Sequence, residues 1–114
     1  MKVTQVVSPK SLSRVREPER AVIKVAAVQI SHNVDSAAHI ATVIEAIEIA
    51  VEAGAQIIFL PELTLSRYPA DTLPSGVPNQ NAEQLESGPT FSLISQQAKK
   101  YGVVIHASLY QEAG

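Results

Sequence analysis

The stretch Ile57-Ile58-Phe59-Leu60-Pro61-Glu62 joins a short apolar run to a proline that closes it. Such a run, bounded by turn residues, is typical of a strand buried on both faces of a parallel sheet. Regular pairing should stop at Pro61, because proline has no amide hydrogen to donate to a sheet ladder. The sequence therefore places Glu62 at the carboxyl end of a buried strand, where ligand crevices form in open α/β sheets. Partial burial there would raise its pKa toward a value useful in a general base. The structural alternative is a glutamate that ends a strand and faces water.

A helix is predicted before this strand. Asp35 or Ser36 can cap its first turn, and Gly54 suits the left-handed position just past its end. The apolar residues that share one stripe of a 3.6-residue period are Ala37, Ile40, Ile44, Ile47 and Val51. The residues that form most of the opposite, polar side are Thr42, Glu45, Glu48 and Glu52. Ile49 interrupts that polar side, so we expect it to touch a neighbouring element or a second subunit of a homo-oligomer.

A long loop over residues 63–88, with one short helical turn near 82–85, should lead to a second helix. Pro89 suits the first turn of that helix, with Gly88 or the preceding serine as its cap, and Gly102 ends it. The apolar residues at helical spacing are Phe91, Ile94, Ala98 and Tyr101. These features predict a helix that packs one apolar stripe against the sheet.

Two further apolar runs, at residues 23–30 and 103–110, complete the predicted elements as a first and a third strand. The order strand-helix-strand-helix-strand is typical of an α/β fold with parallel strands and right-handed crossovers. We interpret residues 1–22 as a polar N-terminal extension and residues 23–114 as the domain. Three strands leave the sheet edges unpaired, so we expect an incomplete domain.

Composition excludes several classes of function. A formal net charge of -2 gives no field that would attract nucleic acid or an anionic membrane surface. The chain has no cysteine, so these residues hold neither a disulfide nor a thiol nucleophile. No apolar run approaches the roughly 20 residues of a membrane span, and we expect a soluble, cytoplasmic protein. His32, His39 and His106 are not spaced as metal ligands, and no phosphate-binding glycine motif is present, so neither metal nor cofactor is expected. We expect His106 to be a hydrogen-bonded packing residue.

Several segments, taken in order, resemble the opening of the nitrilase or carbon-nitrogen hydrolase superfamily. They are Lys24-Val25-Ala26-Ala27-Val28-Gln29, Glu52-Ala53-Gly54-Ala55, Ile57 to Leu63, Leu65-Ser66-Arg67-Tyr68-Pro69, Ser87-Gly88-Pro89, and Ala98 with Tyr101-Gly102 and the run 103–110. No single segment is diagnostic, but their order and spacing make coincidence improbable. The resemblance covers residues 23–114 and implies the N-terminal part of an α-β-β-α sandwich.

The resemblance also implies a Glu, Lys and Cys triad in which Glu62 is the catalytic carboxylate. It would take the thiol's proton as the cysteine attacks an amide, carbamoyl-amine or nitrile carbon, and would later activate water. The lysine would stabilise the charge that develops at the attacked centre. No residue here matches the family's lysine or cysteine, since Lys99 and Lys100 are explained by their place in a helical last turn. We therefore expect the isolated chain to be inactive.

Two residues after Glu62 bear on substrate binding. In relatives this loop borders the pocket, so the resemblance implies that Tyr68 contacts substrate; a half-buried ring that packs the loop is the structural alternative. Arg67 stands where many relatives have glycine, which leaves the substrate preference open.

Three functions are compatible with the sequence. The first is a segment of a hydrolase of non-peptide carbon-nitrogen bonds. The second is a non-catalytic, truncated module that binds a partner or a full-length relative through exposed sheet edges. The third is a small nucleotide-binding α/β domain, which the missing glycine motifs disfavour.

Overall fold

A computed structural model describes residues 1–10, 12–13, 16–17, 19–71, 73, 76 and 81–112. Within them the elements follow the order β1 (Val25–Ala27), α1 (Ser36–Glu52), β2 (Ile57–Phe59), a 3-10 turn (Pro69–Asp71), α2 (Pro89–Tyr101) and β3 (Val104–His106). The three strands form one sheet in the order β1-β2-β3, and both pairs are parallel. The predicted α/β class and element order are confirmed.

Each strand is shorter than the apolar run that predicted it. Regular pairing aligns Val25 with Ile57 and Ile57 with Val104, and it ends two residues later on every strand. Single hydrogen bonds continue the ladder, because Leu60 N donates to the His106 carbonyl at 3.0 Å. Strand β2 therefore ends near Pro61, as predicted.

The two faces of the sheet differ in burial. Ile58 points into the core and is fully buried, whereas Val25, Phe59 and Val104 on the other face are 55%, 44% and 61% exposed. The prediction of strands buried on both faces is thus wrong for the described residues. Both helices pack on the Ile58 side, as successive crossovers of one hand require, and the opposite face is an open apolar surface.

The core lies between this sheet and the two helices. Its buried apolar residues are Val43, Ile47, Ala50, Ala55, Ile58, Leu60 and Ile94. Full burial of an aliphatic side chain such as Ile47 or Ile58 stabilises the fold by about 1.5 to 3 kcal/mol. Ile94 brings α2 into the same cluster as α1 and β2.

Helix α1 is rotated relative to its predicted stripe. The residues it buries are His39, Val43, Ala46, Ile47 and Ala50, so Ile47 alone belongs to both sets. Ala37 is exposed, and Glu48, assigned to the solvent side, accepts a hydrogen bond from the Tyr101 hydroxyl at 2.9 Å. Apolar residues occur around most of this helix, so their spacing alone could not define its buried face.

The ends of α1 agree with the sequence. Asp35 is the N-cap, and its Oδ1 accepts a hydrogen bond from Ala38 N at 2.9 Å. Gly54 has φ 86, the left-handed conformation expected just past a helix. Lys24 Nζ donates to the Ala53 carbonyl at 2.8 Å and thereby satisfies one of the free carbonyls at this terminus.

Helix α2 begins with Pro89 after the N-cap Gly88, which offers no side chain. The Glu83 carboxylate replaces a capping side chain, because it accepts hydrogen bonds from Thr90 N at 2.9 Å and Thr90 Oγ1 at 2.8 Å. A Cβ on Gly88 would lie 2.6 Å from the Gln84 carbonyl oxygen, so the close approach requires glycine. A remote carboxylate thus caps this helix.

Two predictions around α2 need correction. The helical turn predicted near residues 82–85 lies slightly later in the chain, at residues 85–87, where Gly88 N donates to the Gln84 carbonyl at 2.8 Å. Glu83 itself forms an isolated parallel bridge with Gln111. Phe91 is 46% exposed, and α2 buries Thr90 and Gln97 together with the predicted Ile94. The bridge explains the first error, because it holds Glu83 extended where its side chain can reach the helix end.

The described part of residues 1–22 contains neither a helix nor a strand. Among the described residues, no helix is both long and apolar enough to cross a membrane. The boundary at residue 23 stays a prediction.

Replacement of Glu83 should test the remote cap. We expect Glu83→Ala to lower the free energy of unfolding by about 1 to 2 kcal/mol, because it leaves Thr90 N and the buried Thr90 hydroxyl without their acceptor. Glu83→Gln should lose less, since its amide oxygen still accepts one bond. Urea denaturation followed by circular dichroism measures both, with Glu86→Ala, at an exposed site, as the control. Equal stability of Glu83→Ala and the control would contradict the cap.

Candidate active site

Glu62 lies at the carboxyl edge of the sheet, three residues past the end of the central strand β2. This agrees with its predicted position. Its side chain is exposed, so the expectation of partial burial is wrong for the described residues. Among those residues the Glu62 carboxylate has no hydrogen-bond partner. The carboxylate is therefore open to a reactant that approaches this edge.

The turn that carries Glu62 has an unusual backbone. Leu63 adopts φ 50, the only positive φ among the described residues other than glycine. A left-handed conformation costs a residue with a side chain about 1 to 2 kcal/mol, so other contacts must hold this turn in place. Those contacts converge on the next residue, Thr64.

Thr64 is 2% exposed and uses all of its polar groups. Its amide donates to the Ser108 carbonyl at 2.9 Å, and its hydroxyl donates to the Pro61 carbonyl at 3.0 Å. The same hydroxyl oxygen accepts a bond from Ser108 N at 3.2 Å. Its carbonyl oxygen lies 2.9 Å from His39 Nε2. Thr64 thus joins the turn to α1 and to the segment that follows β3.

The histidine that reaches Thr64 sits on the buried face of α1. His39 is 4% exposed, and its Nδ1 accepts a hydrogen bond from Asn33 N at 3.3 Å. Because Nδ1 is an acceptor, the ring hydrogen belongs on Nε2, which donates it to the Thr64 carbonyl. Both ring nitrogens are therefore satisfied in the neutral form.

His32 lies beside this histidine, although sequence spacing had not paired them. The ring centroids of His32 and His39 are 4.6 Å apart. Desolvation lowers the pKa of His32, and its electrostatic interactions with His39 and Arg67 lower it further. Arg67, in the loop after Glu62, thus interacts electrostatically with His32. Among the described residues, no cluster of three or more potential ligands could hold a metal ion.

The two residues linked to substrate binding lie in the loop after Glu62. Tyr68 is 48% exposed, and its carbonyl accepts a hydrogen bond from Asp71 N at 3.1 Å within the 3-10 turn. This exposure fits a half-buried ring that packs the loop as well as a ring that contacts substrate, so its role in substrate contact stays a prediction. Arg67 is also exposed.

The lysines of α2 are at the wrong end of the sheet for this site. Lys100 lies in the last turn of α2, 3.5 Å from Glu48 Oε1 and 4.6 Å from the centre of the Tyr101 ring. That turn leads into the amino end of β3, whereas Glu62 follows the carboxyl end of β2. Lys99 and Lys100 therefore lie away from the carboxyl edge of the sheet that carries Glu62.

His106 was expected to be a hydrogen-bonded packing residue. Its side chain is instead exposed on the open face of the sheet, with its ring centroid 5.6 Å from that of Phe59. Within the described residues it makes no side-chain hydrogen bond, so that expectation is wrong.

A cleft of about 670 Å³ lies away from Glu62. It is lined by residues 1–7 and 24–29 together with five residues between Ala46 and Ala55. It contains neither Glu62 nor Tyr68, so it plays no part in the candidate site.

Comparison with known proteins identifies a family. Residues 24–114 match the family model described as carbon-nitrogen hydrolase. No curated protein matches the chain. The matched span includes every helix and strand of the fold and the whole Glu62 turn.

The electrostatic link between Arg67 and His32 can be measured. We expect the pKa of His32 to lie below the ordinary histidine value of about 6.5, and Arg67→Gln to raise it by removing a nearby positive charge. A lowered folded-state pKa means that the folded chain binds fewer protons, so stability should fall slightly as the pH drops through the window just below 6.5. NMR titration of the imidazole checks the pKa, with Arg20→Gln as control. An unchanged pKa in Arg67→Gln would contradict the link.

Proposed function

The chain belongs to the carbon-nitrogen hydrolase family, and we propose that it supplies the general base Glu62 for hydrolysis of non-peptide carbon-nitrogen bonds. One observation carries the proposal: the family match spans a carboxylate that stands exposed at the carboxyl end of the central parallel strand. The substrate is a small amide, carbamoyl-amine or nitrile. No cofactor takes part.

The chemistry follows from what a carboxylate can do at that position. Glu62 accepts the proton of a cysteine thiol, and the resulting thiolate attacks the carbonyl or nitrile carbon. In the amide case the carbon-nitrogen bond then breaks, and the protonated Glu62 returns its proton to the departing amine. Glu62 next takes a proton from water, whose oxygen attacks the thioester carbon. The carbon-sulfur bond breaks, the acid is released, and Glu62 returns the proton to the cysteine thiolate. A lysine stabilises the negative charge at the attacked centre.

The cysteine and the lysine come from outside these 114 residues. The chain contains no cysteine. Its Lys24 and Lys100 are engaged with Ala53 and Glu48, away from the carboxyl edge of the sheet. The isolated chain should therefore be inactive. We place the reaction in the cytoplasm, where thiols are kept reduced and a cysteine nucleophile persists.

The cysteine and the lysine would be carried by a part of the protein that packs against the open face of the sheet. In an α-β-β-α sandwich a second sheet packs against the first, and this chain offers an apolar surface of the required kind at Val25, Phe59 and Val104. We propose that the described fold is one sheet and one helical layer of such a sandwich. Tyr68, exposed in the loop beyond Glu62, is proposed to line the substrate pocket.

The open face also favours a second candidate function. A non-catalytic module would bind a full-length relative or another partner through the same apolar face and the edges of β1 and β3. The exposed Phe59 and Val104 are the observation in its favour. Catalysis and binding make different demands on Glu62, so they can be separated by experiment.

Substitution of Glu62 tests the catalytic proposal. In an active assembly that contains this chain with the missing cysteine and lysine, we expect Glu62→Gln to lower kcat at least about 100-fold. The amide keeps the shape of the side chain but cannot accept the proton. Circular dichroism should show an unchanged fold, and Glu86→Gln, at an exposed site, is the control. Turnover retained by Glu62→Gln would refute the assignment.

Substitution of the open face tests the binding candidate. We expect Phe59→Thr with Val104→Thr to weaken capture of a full-length relative about tenfold or more, because the pair removes apolar surface from the centre of the interface. Isothermal titration or surface plasmon resonance measures the affinity, with Leu73→Thr, exposed outside the sheet, as control. A folded, monodisperse monomer that binds no relative would exclude this candidate.

A further inference from the structure

The placement of Glu62 depends on residues that do not themselves touch a reactant. We propose that Thr64 and His39 are positioning residues, which fix the backbone turn that presents the Glu62 carboxylate. The inference rests on the proposed role of Glu62 as general base. It assigns a role to two buried polar side chains that the chemistry itself does not use.

The first step is that Glu62 cannot position itself. Its side chain is exposed and lacks a hydrogen-bond partner among the described residues. Its location is therefore set by the main chain on either side, Pro61 and Leu63. Because Leu63 is held at φ 50, a conformation that a leucine avoids when free, the turn would relax if its restraints were removed.

The second step is that Thr64 closes this turn on itself. Its hydroxyl donates to the Pro61 carbonyl at 3.0 Å, so one hydrogen bond spans Glu62 and Leu63. The same oxygen and the Thr64 amide both bond to Ser108, at 3.2 and 2.9 Å, which ties the turn to the segment after β3. The bonds of Thr64 thus fix both ends of the short stretch that contains Glu62.

The third step concerns His39 on α1, which bonds to the Thr64 carbonyl. A polar ring on the buried face of α1 is unfavourable unless its nitrogens are bonded, and here both are. The Nε2 hydrogen goes to the Thr64 carbonyl at 2.9 Å, and the bond from Asn33 N orients the ring. His39 therefore anchors the turn to the rigid helix α1 and not merely to another loop.

The alternative is that these residues have a purely structural role, which predicts a different effect of their substitution on kcat. Loss of a structural contact lowers stability but leaves the folded fraction fully active. Loss of a positioning contact lowers kcat in the folded fraction, because a general base displaced by about 1 Å can lose about 100-fold in rate. KM should change little, since neither residue meets the substrate.

The test compares radical and conservative variants in the active assembly, below the temperature at which any of them unfolds. Thr64→Val keeps the shape but removes the hydroxyl, whereas Thr64→Ser keeps it. His39→Leu removes the donor, whereas the Nε2 of His39→Gln can still reach the Thr64 carbonyl. We expect kcat to fall about 10- to 100-fold in the radical variants, with rescue to within about threefold in the conservative ones. Thr42→Val, which removes a hydroxyl bonded within α1, is the control.

Two measurements on the chain itself need no turnover. The Thr64 and Ser108 amides should be protected from hydrogen exchange in the native chain, and the HN-Hα coupling of Leu63 should report its positive φ. In His39→Leu or Thr64→Val the coupling should move toward that of an extended residue. Unprotected amides in the native chain overturn the inference even if no variant folds.

The outcomes separate this inference from the proposed function. If Glu62→Gln is inactive while folded Thr64→Val and His39→Leu keep full kcat, the positioning role is wrong and the general base stands. If Glu62→Gln is active, the proposed function is wrong, and the positioning role that rests on it is overturned with it. Equal loss in the conservative and radical variants would also overturn the positioning role, since restored bonding should restore rate.

Discussion

The parallel pairing of β2 on both of its sides is the constraint on which the rest of the fold depends. A central strand has its amide and carbonyl groups taken up by its two neighbours, and Ile58 at its middle is fully buried under both helices. The chain can leave such a ladder only where pairing stops. Pro61 fixes that point, and it therefore also fixes the edge of the sheet at which Glu62 emerges. The edge of the sheet at which the Glu62 carboxylate stands is thus a consequence of main-chain hydrogen bonding.

Local sequence signals predicted the features that depend on local physics. The order of the elements, the Asp35 cap and the Gly54 helix end all follow from residues adjacent in the chain. The rotation of α1 does not, because aliphatic residues surround much of that helix and leave its buried face undefined. The buried polar residue His39 faces inward because it bonds to the Thr64 carbonyl, 25 residues away in the chain. The cap of α2 could not be predicted either, because it also depends on residues distant in the chain. The bridge between Glu83 and Gln111 places the Glu83 carboxylate at the helix end.

In the candidate site, too, local signals could be predicted from the sequence and contacts between distant residues could not. Glu62 could be found from the sequence because a proline and an aliphatic strand precede it. Its exposure could not, because burial is decided by whatever packs against the carboxyl edge, and none of the described residues covers the carboxylate. The buried residues that hold the Glu62 turn, Thr64 and His39, do not belong to a recognisable sequence motif. Thr64 is distinguished only by four hydrogen bonds that the folded structure brings together.

The bonds between Thr64 and Ser108 join residues 44 positions apart in the chain. During synthesis, which adds about 5 to 20 residues per second, β1, α1 and β2 leave the ribosome seconds before Ser108 does. The first crossover unit can therefore assemble while the Glu62 turn still lacks half of its restraints. The Glu62 turn gains its bonds to Ser108 only once the third strand docks, so the first crossover unit can form before the geometry of the candidate site is complete.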